Sequence, residues 1–180
     1  MKKLLYLCVA ILSMTFASCS KDEVGGTATQ ALAGEWYVTV DAVDAQGNTV
    51  YEDVYGLGKV LMNTYNTSAN VADQMWIDDN NNFWSFKVKM TSDVQNLTFS
   101  TNGQVTNTKI TAPENGDSYY CKVNVEGGKV LPKAGTTPHG TPADSIVFYV
   151  SFDDDTNPAA YGYAKYKVSG IRYTGLTQDD

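Results

Sequence analysis

The sequence predicts an all-β protein, an antiparallel meander of about eight to ten short strands that closes into a barrel or folds into a sandwich. Apolar and polar residues alternate with a period of two in most of the hydrophobic segments. Clusters of Asp, Asn, Thr and Gly separate these segments, and no long segment has the 3.6-residue period of an amphipathic helix. These features favour strands joined by tight turns.

The clearest alternation lies in residues 83–90. The polar face of this predicted strand carries Lys87 and Lys89. Its apolar face carries Trp84, Phe86, Val88 and Met90. The other predicted strands are residues 36–40, 49–55, 59–65, 74–77, 97–100, 109–111, 119–125, 145–152 and 161–174.

Residues 1–18 have the features of a secretory signal peptide. A basic start is followed by an apolar run over residues 4–16, which is shorter than the roughly 20 apolar residues of a spanning helix. Residues 16–19 (FASC) resemble the lipobox of bacterial lipoproteins, in which the cysteine takes the lipid and becomes the first mature residue. This resemblance implies lipidation of Cys19. The alternative is an ordinary signal peptide followed by an incidental cysteine.

The segment after Cys19 suggests where the chain resides. Residues 20–23 (SKDE) resemble the acidic signal that directs some Gram-negative lipoproteins to the outer face of the outer membrane. A lipid-anchored, surface-facing protein of the outer membrane is therefore expected, with the membrane as a partner through Cys19. Residues 19–31 form the lipidated N terminus and a Gly/Thr-rich tether, and residues 32–180 form one domain.

The net charge of the mature chain excludes one class of ligand. Removing Lys2 and Lys3 with the signal peptide changes the formal net charge from −7 to −9. This balance argues against nucleic acid as a partner.

Cys121 is then the only thiol left besides the lipidated one, so the fold has no intramolecular disulfide. Because Cys121 alternates with Val123 and Val125, it is predicted to be a buried small apolar side chain.

The two ends of the chain favour a barrel over a sandwich. Gly34-Glu35-Trp36 resembles the G-x-W signature of lipocalins, in which the tryptophan closes one end of the barrel beneath a basic side chain. The only arginine, Arg172, lies in the last predicted strand. The sequence therefore predicts a stacked pair of Trp36 and Arg172. The alternative is an ordinary core tryptophan and a solvated arginine.

The whole mature chain resembles a family of Gram-negative surface lipoproteins catalogued as lipid-binding putative hydrolases. The resemblance rests on four blocks within residues 32–175: LAGEWYVTVDAVDAQGNTVYEDVYGLGKVLMNTYNTSAN, DQMWIDDNNNFWSFKVKM, PADSIVFYVSFDDDTNPAAYGYAKYKVSG and IRYTG. It implies a lipocalin-like barrel and a small lipid-like ligand. It supplies no catalytic motif, and fold alone does not determine function.

A catalytic site is not predicted. The sequence has no G-x-S-x-G motif, and its one histidine, His139, lies in a loop-like segment near Asp144, Ser145 and Ser151. A triad of these residues is the enzymatic alternative, which would make the protein a hydrolase of lipid-like substrates. The acidic clusters at residues 78–82 and 153–157 are interpreted as turns rather than calcium loops, and no metal or cofactor is expected.

Aromatic content suggests how a ligand could bind. The chain has 3 Trp, 12 Tyr and 6 Phe. The ligand-binding candidates are the inward-facing residues Trp84, Phe86, Val88, Met90 and Tyr166, which would line a cavity for a small apolar or amphipathic molecule. The same side chains could instead fill the barrel completely. A third reading is a glycan-binding or protein-interaction module that uses exposed aromatic residues, namely Tyr51, Tyr55, Tyr65 and Trp76.

Overall fold

The computed structural model describes residues 25–109 and 121–176. The predictions about the signal peptide and Cys19 lie outside the described residues, as do residues 110–111 and 119–120 of two predicted strands. Ten strands are present in the described part of the chain: β1 (Gly34–Val43), β2 (Thr49–Tyr51), β3 (Val60–Asn66), β4 (Gln74–Asp78), β5 (Lys87–Asp93), β6 (Thr98–Ser100), β7 (Val105–Thr106), β8 (Lys122–Thr136), β9 (Pro142–Phe152) and β10 (Lys165–Arg172). A short helix, α1 (Asn157–Tyr161), precedes β10.

Eight of the described strands form a closed antiparallel barrel. Their order is β1, β3, β4, β5, β6, β8, β9 and β10, and β10 pairs back onto β1. The two remaining strands lie beside it, β2 against β1 and β7 against β8. Because each barrel strand pairs with the next barrel strand along the chain, the predicted all-β, lipocalin-like meander barrel is confirmed.

The barrel closes along a seam that requires a glycine. Gly170 of β10 is paired with Val38 of β1. A Cβ atom at Gly170 would lie 1.8 Å from the backbone oxygen of Tyr37, far inside van der Waals contact. Any other residue here would force the two strands apart, so the glycine allows the first and last strands to pair in this register.

The inward-facing residues of the strands form one hydrophobic core. In β1 the alternate residues Trp36, Val38, Val40 and Ala42 are all at most 1% exposed. The other strands contribute in the same alternating way, with Val88 and Met90 in β5, Val123 and Val125 in β8, and Phe148 and Val150 in β9. The period of two in the sequence therefore identifies the interior.

The observed strands differ locally from the predicted ones: β2 ends at Tyr51 rather than at residue 55, β7 was not predicted, and three further differences have a clear backbone cause. β5 begins at Lys87, because residues 83–86 form a bend in which Ser85 has a φ of 54°. β8 continues to Thr136 instead of ending near residue 125, because a bulge at residues 127–128 absorbs the glycine pair without ending the strand. The last strand, β10, begins at Lys165 rather than at residue 161. Residues 161–164 are not part of it, because α1 ends at Tyr161 and Gly162 has the left-handed conformation.

The barrel has two distinct ends. The Trp36 end is formed by Trp36, Arg172 and the turns of residues 27–33. The Tyr166 end lies at the other end of the same strand pair, where Ala42 is paired with Tyr166. Six residues of β1 separate the two positions, about 20 Å along the strand. Across residues 25–109 and 121–176, no helix combines the length and hydrophobicity needed to cross a bilayer.

Candidate functional site

At the Trp36 end, Arg172 lies over the indole ring of Trp36. The guanidinium carbon is 4.3 Å from the ring centroid, and the indole is completely buried. Gly34 makes room for this contact, because a Cβ atom there would lie 2.2 Å from the guanidinium. The glycine of the G-x-W motif therefore has a steric role.

Hydrogen bonds complete the closure of the Trp36 end. The indole N–H of Trp36 donates to the hydroxyl of Thr64 at 2.8 Å, and this hydroxyl donates to the backbone oxygen of Leu32 at 2.7 Å. Arg172 donates to the backbone oxygen of Ala33 and, at 3.2 Å, to Asp144. Part of the segment predicted as a tether also packs against the barrel, since Thr29 is buried and the N–H of Ala28 donates to the side-chain oxygen of Asn70 at 2.8 Å.

The five cavity candidates occupy two different environments. Phe86, Val88, Met90 and Tyr166 are at most 2% exposed and belong to the packed core. Trp84 is only partly buried and sits on the bend before β5, at the Tyr166 end. Its ring stacks on Phe152 with a centroid distance of 4.7 Å and an interplanar angle of 11°.

One buried carboxylate holds this bend in place. Asp79 is completely buried, and its two oxygens accept four backbone N–H groups at 2.8–3.3 Å, those of Asn81, Phe83, Trp84 and Phe86. Lys109 donates to the same carboxylate at 3.0 Å and pairs with Asp78 at 2.6 Å. The bend is therefore an ordered structure that turns Phe83 and Trp84 over the barrel end.

Lys109 also affects the titration of its partner. Burial of Asp78 favours the neutral acid, but the hydrogen bonds from Lys109 and from the N–H of Asn80 outweigh it, so the pKa of Asp78 is lowered. The pKa of Lys109 is raised, because its hydrogen bonds to the two carboxylates outweigh its own partial burial.

Aromatic rings cover the Tyr166 end. Phe83 contacts the rings of Trp84, Phe152, Tyr55 and Tyr166, with centroid distances of 5.1–5.9 Å. Most of these contacts are edge-to-face or tilted, the arrangements that aromatic pairs prefer. The rings lie directly above the core residue Phe86, which packs against Phe152 at 5.5 Å. This end of the barrel is closed by side chains.

Hydroxyl groups form a hydrogen-bonded chain beneath these rings. The Tyr166 hydroxyl donates to Asp155 at 2.5 Å, so its oxygen accepts from the hydroxyls of Tyr55 (2.5 Å) and Tyr163 (2.7 Å). Asn157 donates in turn to the Tyr55 hydroxyl at 3.0 Å. Burial raises the pKa of Tyr166, and the hydrogen bond to the Asp155 carboxylate raises it further. Burial also raises the pKa of Tyr163.

An open cleft of about 410 Å³ lies beside this chain, on the outside of the barrel end. Four tyrosines line it, two from the segment after β1 and two from the end of α1: Tyr51, Tyr55, Tyr161 and Tyr163. The other lining residues are Glu52, Val54 and Asn157. We refer to this site as the tyrosine cleft.

Exposed apolar side chains concentrate around the tyrosine cleft. Among the described residues, eight large hydrophobic side chains are exposed, and three of them, Tyr51, Tyr55 and Tyr161, line this one cleft. Tyr161 is the most exposed of the eight, at 62%. Clustering of this kind, rather than single exposed side chains, marks a binding surface.

The sequence predicted only part of this site. Tyr51 and Tyr55 were expected to be exposed aromatic residues, and both line the cleft, whereas Tyr65 and Trp76 flank Lys87 on the outer face of β3–β5. Glu52, Tyr161 and Tyr163 were missed. The Tyr161-Gly162-Tyr163 pattern resembles a strand end, and the helix end at Gly162 redirects the first tyrosine outward.

The residues of the enzymatic alternative have other partners. The Asp144 carboxylate accepts from Arg172 and, at 3.0 Å, from the N–H of Lys133. His139 is exposed in the turn before β9. Asp144 therefore belongs to the Trp36 end, where it orients Arg172.

The two acidic clusters make hydrogen bonds that shape turns. In the second cluster Asp153 accepts from the N–H of Lys122, Asp154 from the indole of Trp84, and Asp155 from Tyr166. No group of three or more His, Cys, Asp or Glu side chains with metal-binding geometry occurs among residues 25–109 and 121–176. Cys121 is buried, and burial raises the pKa of its thiol.

Comparison with known proteins adds one finding. A protein family described as "lipid-binding putative hydrolase" matches residues 21–177, which include every strand described above. A search of the curated proteins returns no match to this chain.

Proposed function

The chain belongs to this family of lipid-binding putative hydrolases, and on that premise we propose that it is a surface lipoprotein that binds a small amphipathic molecule non-covalently at the tyrosine cleft. The observation that carries the proposal is the cleft of about 410 Å³, walled by four tyrosines at the point where exposed apolar side chains concentrate. Its volume lies within the range of small-molecule sites, roughly 300–1,000 Å³.

In this proposal the cleft divides the ligand into two parts. The faces of Tyr51 and Tyr161 and the side chain of Val54 remove the hydrocarbon part from water, at about 25 cal/mol per Å² of buried apolar surface. Glu52 and the amide of Asn157 are polar groups at the same site that orient the head group. The proposed activity is non-covalent binding, which requires no nucleophile.

The barrel interior is the less favoured location for the ligand. Phe86, Val88, Met90 and Tyr166 pack in the core, and Phe83 and Trp84 cover them. A ligand inside the barrel would have to displace these rings and break the four hydrogen bonds that Asp79 accepts from the bend. Binding in the cleft requires neither change.

The proposed anchoring gives the molecule an orientation. Gly25 lies in a groove that it shares with Arg172, at the Trp36 end. Gly25 follows Cys19 by six positions, which is at most about 22 Å of extended chain. If Cys19 carries the lipid, the Trp36 end faces the outer membrane and the tyrosine cleft opens away from it. The ligand would then arrive from the surroundings of the cell.

Calorimetric titration with decyl maltoside and decanoate, both below their micelle concentrations, tests the cleft. The proposal expects saturable binding of at least one of the two, and this binding should weaken at least about tenfold in Tyr161→Ala, since a large apolar contact is lost. Tyr173→Ala, at the Trp36 end, is the matched control and should bind as the wild type does. Absence of binding by both amphiphiles would overturn the proposal, and saturable binding of oligosaccharides alone would favour the glycan reading.

Phe86→Ala distinguishes the cleft from the interior. If Phe86 only fills the core, the variant loses about 3–5 kcal/mol of unfolding free energy and keeps the wild-type affinity for decyl maltoside. Affinity that changes in Phe86→Ala but not in Tyr161→Ala would move the binding site into the barrel.

A further inference from the structure

We propose that the tyrosine cleft selects a cationic head group, and that its ligand is an amphiphile carrying a quaternary ammonium. This inference rests on the proposed function and deepens it, because it names the chemical class of the head group. The observations that carry it are the number of tyrosines that line the cleft, the hydrogen bonds that hold three of their hydroxyls, and the sign of the charge beside them.

Aromatic faces are the first observation. Four of the seven lining residues are tyrosines, and they come from both walls of the cleft. The face of an aromatic ring carries partial negative charge, which attracts a cation that cannot donate hydrogen bonds. Quaternary ammonium groups are recognised by sites that several aromatic rings line.

Three of the four tyrosine hydroxyls are held by the protein itself. Tyr55 and Tyr163 bond to the hydroxyl of Tyr166, and Tyr51 donates to the backbone oxygen of Tyr161 at 3.4 Å. The rings of Tyr51 and Tyr163 also meet edge to face at 6.5 Å. These three rings are therefore oriented before any ligand arrives, which reduces the entropic cost of binding.

Charge is the third observation. Glu52 is the only charged residue that lines the cleft, and no lysine or arginine is among the lining residues. The Asp155 carboxylate lies behind the cleft, at the end of the hydroxyl chain that runs through Tyr166. A sulfate or carboxylate head group would meet like charge here, whereas an ammonium meets opposite charge.

Three decyl amphiphiles with the same chain and different heads test the inference: decyltrimethylammonium, decyl sulfate and decyl maltoside. Titrated below their micelle concentrations into the mature protein, the cation should bind at least about tenfold more tightly than the other two. Glu52→Gln should reduce this preference without abolishing binding of decyl maltoside. Glu35→Gln, an exposed carboxylate at the Trp36 end, is the matched control and should leave the preference unchanged.

Each outcome has one meaning. Equal affinity for the three amphiphiles, or preference for the sulfate or the maltoside, overturns the cationic head group and leaves the proposed function standing. No binding of any of the three overturns both. Tetramethylammonium is titrated separately: binding as tight as that of decyltrimethylammonium would mean that the cleft recognises a free cation, which overturns the amphiphile as ligand.

Discussion

At the scale of single residues, the stack of Arg172 on Trp36 joins the first and last strands of the barrel. We expect Trp36→Ala to lower the unfolding free energy by about 3–5 kcal/mol, because it empties a fully buried site. Arg172→Ala should cost less, because the stack contributes about 0.5–2 kcal/mol. Urea denaturation of both single variants and the double variant measures the coupling, and strictly additive losses would contradict the stack.

The hydroxyl of Tyr166 is the second residue whose role can be measured. Tyr166→Phe leaves Asp155, Tyr55 and Tyr163 without their shared partner, at a cost of about 1–3 kcal/mol at neutral pH. Tyr149→Phe, on the outer face of β9, is the control and should cost much less.

The raised pKa values of Tyr166 and its neighbour Tyr163 predict that the unfolding free energy depends on pH. The folded-state pKa values of Tyr163 and Tyr166 are raised above the ordinary value of 10.0. Above about pH 10 the unfolded chain therefore loses protons that the folded protein keeps, and the unfolding free energy falls as the pH rises. Below that pH the contribution is fully present. Urea denaturation between pH 8 and pH 11 should show a shallower fall in Tyr166→Phe, and an unchanged slope would contradict the assignment.

At the scale of elements, the bend of residues 79–86 closes the Tyr166 end, and Asp79 is the group that orders it. Asp79→Asn replaces one acceptor oxygen with a donor and removes the charge that Lys109 meets, so it should cost about 3–5 kcal/mol. Amide hydrogen exchange at residues 81–86 should accelerate. Asp93→Asn is the matched control, because Asp93 makes a similar turn in full exposure, and its loss should be much smaller. Unchanged exchange in Asp79→Asn would show that the bend is held in another way.

At the scale of the whole molecule, Gly25, the first described residue after the proposed lipid anchor, and the tyrosine cleft lie at opposite ends of one barrel. We expect Cys19→Ser to move the protein from the detergent phase to the aqueous phase, because the lipid is the proposed attachment to the membrane. Cys121→Ala is the control and should stay with the detergent, since that thiol is buried in the fold. A Cys19→Ser protein that still partitions into detergent would refute the anchor.

Individual elements show which parts of the fold can be predicted from the sequence. In β1 and β9 the alternation of apolar residues correctly identifies the buried face, because each strand has one side toward the core. In residues 83–86 the same alternation predicts a strand where a bend occurs. The acceptor that stabilises the bend, Asp79, also bonds to Lys109 thirty residues away, and such a contact leaves no periodic signal.

The sequence by itself determined the fold class, the meander order and the pairing of the two ends, because these follow from local alternation, short turns and a motif at each terminus. Only the tertiary structure decided that four of the five candidate cavity residues are core, and that tyrosines from β2 and from α1 meet in one cleft. The physical reason is that a strand's period specifies which side chains point inward but not whether they fill the space. Filling depends on which distant rings, here Phe83, Trp84 and Phe152, pack over the end of the barrel.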